Sequence, residues 1–175
     1  MPSIIDVHHK AVTEALRQLA HQVASSGSIL PAMGEDIVER TKQRFVTATA
    51  PDGQRWRANT RTTLMNYLRA KKGFSKKTGK IIAKGQALAI GKKPLQGLNG
   101  DLARQIFYET STDDLLIAAS MRYAAMQHYG GKRAQFRQLW GDIPGRPFMP
   151  IDAKNELYPA EVNLIVEQLS EYIMK

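Results

Sequence analysis

The sequence predicts an α+β domain in which a small, mostly antiparallel sheet packs against helices. Three observations lead to this prediction. Apolar residues recur at helical spacing near the amino-terminal end and again in the last segment. Between these regions, two short apolar runs flank an Asp-Asp turn, as in a β-hairpin. The length of 175 residues and the 43% hydrophobic content suit one domain with its own core, so we expect a single domain over residues 1–175.

Two helices are predicted at the amino-terminal end, where they would form a helical hairpin. Residues from about Asp6 to Ser26 carry apolar side chains at spacings of four, three and four, which places them on one helical face. A second helix should run from Pro31 to about Thr47, because proline fits the first turn of a helix. We expect its buried stripe to consist of Met33, Ile37, Thr41 and Phe45.

A turn and a short helix should follow. Pro51, Asp52 and Gly53 have the composition of a tight turn, and Trp56 should anchor the surrounding loop to the core. The segment from Thr60 to Ala70 is predicted to be a helix whose first residue acts as its cap.

A long loop is predicted after this helix. Residues Gly73 to Lys93 combine glycines and lysines without a sustained period. We therefore expect a mobile basic loop over about 73–93, with a short extended piece at Ala87 to Ile90.

The sheet is predicted to be a hairpin. Its first strand should run from Arg104 to Thr110, with Ile106 and Tyr108 on one side, and its second strand from Leu115 to Met121. Asp113 and Asp114 would form the turn. A short helix over 123–129 and a closing helix over 159–174 complete the predicted order, and the closing helix carries Val162, Ile165, Val166, Leu169 and Ile173 at helical spacing.

A proline-rich segment separates these last two helices. Ile143 to Pro150 contains three prolines within seven residues. Proline fixes its own φ and favours an extended conformation in the residue before it, so this segment should be stiff and extended. We call residues 143–150 the strap, because Phe148 could fix it across a neighbouring surface.

The net charge of +9 is concentrated in one region. Residues 69–93 contain nine basic residues and no acidic one, while the rest of the chain has 16 of each sign. We call these nine residues the basic segment: Arg69, Lys71, Lys72, Lys76, Lys77, Lys80, Lys84, Lys92 and Lys93. Such a segment could be a solvated surface, could contact an acidic protein neighbour or could contact nucleic acid.

Two motifs resemble those of the phage virion morphogenesis family, the tail-completion proteins of Mu-like and related phages. The first is a "PDGxxW" element, formed here by Pro51, Asp52, Gly53 and Trp56. The second is a signature with a histidine and a nearby glycine followed by "IPARPF", formed here by His128, Gly130, Ile143, Pro144, Arg146, Pro147 and Phe148. Gly145 stands where this signature usually has alanine, and Tyr129 stands where phenylalanine is common.

The resemblance implies a structural protein that acts at the head-proximal end of the tail and catalyses no reaction. Similar proteins end tail-tube growth or join the tail to the head as rings. The resemblance therefore implies that the partners are other copies of the chain, in a hexameric ring when assembled, together with tail-tube and neck proteins. The expected location is the virion, after assembly in the host cytoplasm. Ring contacts could involve the basic segment and an acidic edge of the closing helix, formed by Glu161, Glu167 and Glu171.

The sequence offers little evidence for a metal site, a cofactor site or a membrane segment. The chain has no cysteine, and neighbouring histidines His8 and His9 would diverge on a helix, so we expect no metal and no cofactor. No apolar stretch approaches the ~20 residues of a membrane helix, and no secretory signal is evident. The alternative function is a small nucleic-acid-binding protein that uses the basic segment, although Phe74 is the only aromatic residue there.

Overall fold

The computed structural model describes residues 29–112, 114–139 and 141–174. Within these residues the chain forms six helices and one two-stranded antiparallel sheet, which confirms the predicted α+β class with a small sheet. The first predicted helix, over about 6–26, lies outside the described residues, and so do His8 and His9.

Helix α1 spans Leu30–Thr47 and has proline in its first turn, as predicted. All four residues of its predicted stripe are buried: Met33, Ile37, Thr41 and Phe45. The helix ends at Ala48, which adopts a left-handed conformation with φ of 58° and donates its N–H to the carbonyl of Arg44. The helical period of the sequence therefore identified the correct face of α1.

The hairpin consists of β1, Ile106–Thr110, and β2, Leu115–Ala119, paired from Ile106 opposite Ala119 to Thr110 opposite Leu115. It packs on α1 at Gly34, where a Cβ would lie 2.5 Å from the ring of Tyr108. Glycine at this position thus allows helix and sheet to approach closely. The predicted sides of β1 are confirmed, since Ile106 is buried and Tyr108 is partly buried on the same side.

The predicted start of β1 at Arg104 was wrong. Residues Asp101–Arg104 form a short helix, α4, preceded by Gly100 with φ of 73°. An Asp101–Arg104 ion pair of 2.7 Å stabilises this single turn. The left-handed glycine and the ion pair across one turn favour a helical turn over a strand.

The predicted loop over about 73–93 was also wrong in part. Helix α2 spans Arg61–Ala70, and its Thr60 cap accepts the N–H of Thr63 at 3.2 Å, as predicted. Beyond a turn, α3 spans Ala83–Gly91, so the piece predicted as extended is helical. Alanine, leucine and glutamine favour a helix there, and Gly85 permits close packing, because a Cβ on it would lie 2.2 Å from the carbonyl oxygen of Gly73.

The remaining described elements surround the strap. Helix α5 spans Ala124–Tyr129 and α6 spans Pro159–Ile173, close to their predicted bounds. The strap has no regular secondary structure and enters the core. The central cluster of buried apolar side chains draws on α1, the loop after it, α4, β1, α5 and the strap: Val38, Phe45, Ala50, Trp56, Leu102, Ile106, Ala124 and Phe148.

Candidate functional site

His128 is the central polar contact between α5 and the strap. Its side chain is 3% exposed, and its Nδ1 accepts the backbone N–H groups of Phe148 at 3.1 Å and Met149 at 3.3 Å. Its Nε2 donates to the carbonyl oxygen of Ile151 at 3.1 Å. This pattern requires a neutral ring with its proton on Nε2. Burial lowers the pKa of His128 below its usual value of 6.5, and the charge of Arg44 acts in the same direction.

Phe148 fixes the strap to the core. It is 1% exposed, and its ring centroid lies 5.3 Å from that of Phe45 and 5.2 Å from that of His128. Trp56 meets Phe45 edge to face at 5.4 Å, and its Nε1 donates to the carbonyl oxygen of Pro147 at 2.9 Å. The two sequence motifs therefore meet at one place, with Trp56 of the first motif holding the strap of the second.

Arg146 ties the strap to the loop that precedes α2. Its Nε donates to the carbonyl oxygen of Arg57 at 2.9 Å, and its Nη2 donates to that of Ala58 at 3.3 Å. Its own backbone N–H bonds to the carbonyl of Gln127 at 2.9 Å. Burial lowers the pKa of Arg146, and the nearby charge of Arg57 adds to this effect. The fixed fork of the guanidinium suits such contacts with successive carbonyls.

The backbone of the strap crosses the backbone of the residues at the end of α5. Gly130 has φ of 80°, and a Cβ there would lie 2.6 Å from the backbone nitrogen of Gly145. A Cβ on Gly145 would in turn lie 2.8 Å from the carbonyl oxygen of Tyr129. Gly131 and Ile143 exchange two backbone hydrogen bonds just beyond the crossing, of 2.9 and 2.8 Å. These glycines allow the strap to lie directly against the end of α5.

The turn of the first motif forms as predicted. Gly53 has φ of 81°, its N–H bonds to the carbonyl of Ala50 at 2.9 Å, and Asp52 Oδ1 accepts the N–H of Gln54 at 2.9 Å. Pro51 and Asp52 lie at the surface of this turn, so their contribution is to shape it.

A buried ion pair holds α6 to α1, and no pattern in the sequence predicts it. Arg44 pairs with Glu161, donates to the carbonyl oxygen of Phe148 at 2.7 Å, and thereby also contacts the strap. Arg40 lies 3.2 Å from the same carboxylate. Glu161 is 2% exposed, so the expectation that it belongs to an acidic outer edge was wrong. Its carboxylate is engaged inside the protein, while Glu167 and Glu171 remain exposed.

The basic segment is spread over α2, α3 and their connections. Lys92 is half-buried over the ring of Tyr67, with its Nζ 4.5 Å from the ring centroid, and burial lowers its pKa, with a further contribution from Lys71. Lys93 donates from its Nζ to the carbonyl oxygen of Val46. Within the part of the chain that the structure describes, none of the nine forms an ion pair with a carboxylate.

A cleft of about 510 Å³ separates α2 from the strap. Its walls include Asn66 and Tyr67 of α2, Lys92 and Leu98 of the connection after α3, and Ile143 and Arg146 of the strap. Among the described residues there is no group of three or more histidine, aspartate or glutamate side chains placed to hold a metal ion. None of the six helices described here has the length and hydropathy to cross a bilayer.

The structure thus brings most of the motif residues into one contact region. Trp56, His128, Gly130 and the strap residues meet there, whereas the turn of Pro51 and Asp52 lies at its margin and the basic segment lies mainly beyond it.

Comparison with known proteins places this arrangement in a family. The sequence matches the phage virion morphogenesis family over residues 7–168. No curated protein gave a significant match, and no solved structure did so either. The matched range includes both motifs and the elements that hold them together. The chain therefore belongs to the phage virion morphogenesis family, whose role is a structural one in building the phage particle.

Proposed function

We propose that this protein completes the phage tail and helps join it to the head, acting as a homo-oligomeric ring at the head-proximal end of the tail. The carrying observation is that the signature residues are engaged in internal contacts. His128, Arg146 and Trp56 all bond to backbone groups of the strap or of the loop beside it. This arrangement builds a rigid subunit and leaves other surfaces for contacts with neighbours.

The exposed apolar side chains support an assembling subunit. On α6, Val162 is 39% exposed and Val166 is 54% exposed, although the helical period predicts that they share its apolar face. On the hairpin, Phe107 and Leu116 lie on the side away from α1 and are also exposed. Apolar groups concentrated on two surfaces are typical of contacts between proteins.

A ring explains how such a subunit would act. It would dock on the end of the tail tube, cover the surface to which tube subunits add, and offer a new surface to neck proteins. Ring closure requires that one face of a subunit meet a different face of the next. By family resemblance we expect six copies, matching the symmetry of the tube.

Electron microscopy of finished particles tests this proposal. A tag on the protein, localised by a bound antibody fragment, should mark a six-fold ring between tail tube and head. Particles from a strain that lacks the gene should have tails of abnormal length or tails without heads. A label at the distal tip, a single off-axis copy, or complete absence from finished particles would contradict the proposal.

A second candidate function uses the basic segment to bind nucleic acid. It is favoured by two observations: these cations form no ion pair with any described carboxylate, and Lys76, Lys77, Lys80 and Lys84 are all exposed. Each phosphate neutralised by such a cation releases a counterion, so binding to duplex DNA should weaken steeply with salt. Replacing these four lysines by glutamine should flatten that slope. A flat slope in the unchanged protein would exclude this function.

A further inference from the structure

The cleft between α2 and the strap contains a positive charge that forms no ion pair with a carboxylate in the described part of the chain. Arg146 is 7% exposed, and its Nε and Nη2 are occupied by two backbone carbonyls. Its remaining nitrogen, Nη1, has no hydrogen-bond partner among the described residues. Lys92 is a second cation on the cleft wall. Asp142 is the one acidic residue of the lining, and its Oδ1 accepts the N–H of Arg133 at 2.8 Å.

This combination favours a carboxylate as the ligand of the cleft. A nearly buried guanidinium with a free N–H group binds a carboxylate more strongly than a surface cation does, because less water competes. Tyr67, Leu98 and Ile143 line the same cleft, so an apolar side chain next to the carboxylate would also find a surface to cover. The ligand should therefore be an acidic segment with apolar neighbours.

The β1–β2 hairpin of the same chain is an acidic segment with apolar neighbours. Residues 105–121 contain three acidic residues and no basic one, in contrast to residues 53–100, which contain twelve basic residues and no acidic one. Glu109 and Asp114 are exposed at the end of the hairpin, and neither forms an ion pair within the described part of the chain. Leu116, 53% exposed, lies directly across from Glu109 in the strand register.

We infer that the acidic end of the β1–β2 hairpin of one copy inserts into the Arg146 cleft of a second copy, where a carboxylate meets Nη1 of Arg146. This inference rests on the proposed ring and identifies its subunit contact. The two surfaces belong to different elements, so the contact is head to tail, and repetition of it gives a closed ring or an open chain. The charges would orient approaching subunits, and burial of Leu116 would add affinity.

Disulfide trapping in assembled particles tests the contact, because the chain has no cysteine of its own. Thr112→Cys places a thiol on the exposed hairpin end, and Asn66→Cys places one on the cleft wall. The double variant should give a ladder of disulfide-linked multimers of this chain under mild oxidation. The matched control replaces Asn66→Cys by Thr62→Cys, which is exposed on the same helix but does not line the cleft, and should give severalfold fewer multimers.

Neutralising the hairpin adds a test of charge. Glu109→Gln with Asp114→Asn, in the Thr112→Cys and Asn66→Cys background, should lower the multimer yield severalfold while leaving the thermal stability of the subunit unchanged. An unchanged yield would contradict the role of the carboxylates. The same two charge-removing substitutions in the control chain, which carries Thr112→Cys and Thr62→Cys, give the background yield of multimers.

The outcomes separate this inference from the proposed function. Particles that contain the labelled ring but give no ladder would overturn the hairpin contact and leave the ring in place. A single linked band that contains a different virion protein would show that the cleft has another occupant and would also overturn it. Particles that lack the protein altogether would overturn the ring and the contact together.

Discussion

The backbone nitrogen of Phe148 donates to Nδ1 of His128 over 3.1 Å, at a place where both side chains are buried. The opposite ring nitrogen donates to Ile151, so the imidazole joins two points of the strap region while it remains neutral. A proton on Nδ1 would face two N–H groups instead of accepting from them. Protonation therefore breaks the contact that fixes the strap.

Stability should consequently fall in mildly acidic solution. Burial lowers the pKa of His128 in the folded state below its usual 6.5, so the unfolded chain takes up the proton first as the pH falls. The contribution of His128 is constant above about pH 6.5 and is lost progressively below that value, down to its folded-state pKa. Thermal unfolding measured between neutral and mildly acidic pH should show this decline.

The matched variant is His128→Gln, because the chain has four histidines and only a difference between two proteins isolates one of them. The variant should be less stable at neutral pH and should show a weaker dependence on pH. Two parallel curves would mean that other groups cause the decline.

Phe148→Ala should destabilise the subunit strongly. The side chain is 1% exposed and packs against Phe45 and His128, so its removal leaves a cavity. Loss of a buried phenylalanine costs about 3–5 kcal/mol. Phe136→Ala, at a position 37% exposed, is the control and should cost much less. Chemical denaturation measures both, and equal free energies of unfolding would show that the strap is not fixed by this ring.

Local patterns in the sequence correctly predicted the elements that are determined by residues close together in the chain. The helical spacing of α1, the Thr60 cap of α2 and the alternation of the hairpin each depend on residues a few positions apart. The motif resemblance also selected residues that meet in space, since Trp56 contacts the carbonyl of Pro147 across 91 positions. The resemblance named both positions but did not predict their contact, because no period or spacing in the sequence connects them.

The contacts that could not be predicted join distant positions without a local signature. Arg44 and Glu161 are 117 residues apart, and each is an ordinary charged residue on a helix when seen in the sequence. Helix α3 was missed for a related reason. Residues 73–93 contain four glycines and six lysines, a composition typical of a loop. Only the contact between Gly85 and Gly73 in the folded chain explains why glycine suits that helix.

Removal of the buried carboxylate on α6 should separate that helix from α1. Glu161→Ala leaves Arg44 buried without its partner, and loss of one member of a buried pair costs about 3–5 kcal/mol. Glu167→Ala, on the same helix but exposed, should change stability by no more than about 0.5 kcal/mol. Urea unfolding of the two variants gives the comparison. A small effect of Glu161→Ala would mean that water reaches Arg44 and replaces the carboxylate.

The packing of α3 against α2 and the turn that follows it should depend on Gly85. Alanine is a better helix former than glycine by about 1 kcal/mol, so propensity alone predicts that glycine-to-alanine changes stabilise α3. At Gly85 the steric clash should outweigh the gain in helix propensity. A Cβ there would lie 2.2 Å from the carbonyl oxygen of Gly73, and a backbone atom cannot move aside without displacing the turn. Overpacking of this kind costs about 1–3 kcal/mol. Gly91 lies in the same helix with nothing within 4 Å of a Cβ, so Gly91→Ala should be neutral or stabilising.

Limited trypsin digestion reports on this region directly, since Lys80 and Lys84 are exposed cleavage sites there. Gly85→Ala should accelerate cleavage at these lysines and Gly91→Ala should not. Equal cleavage rates in the two variants would mean that α3 does not pack on Gly73 in solution, and that these residues behave as the loop that their composition suggests.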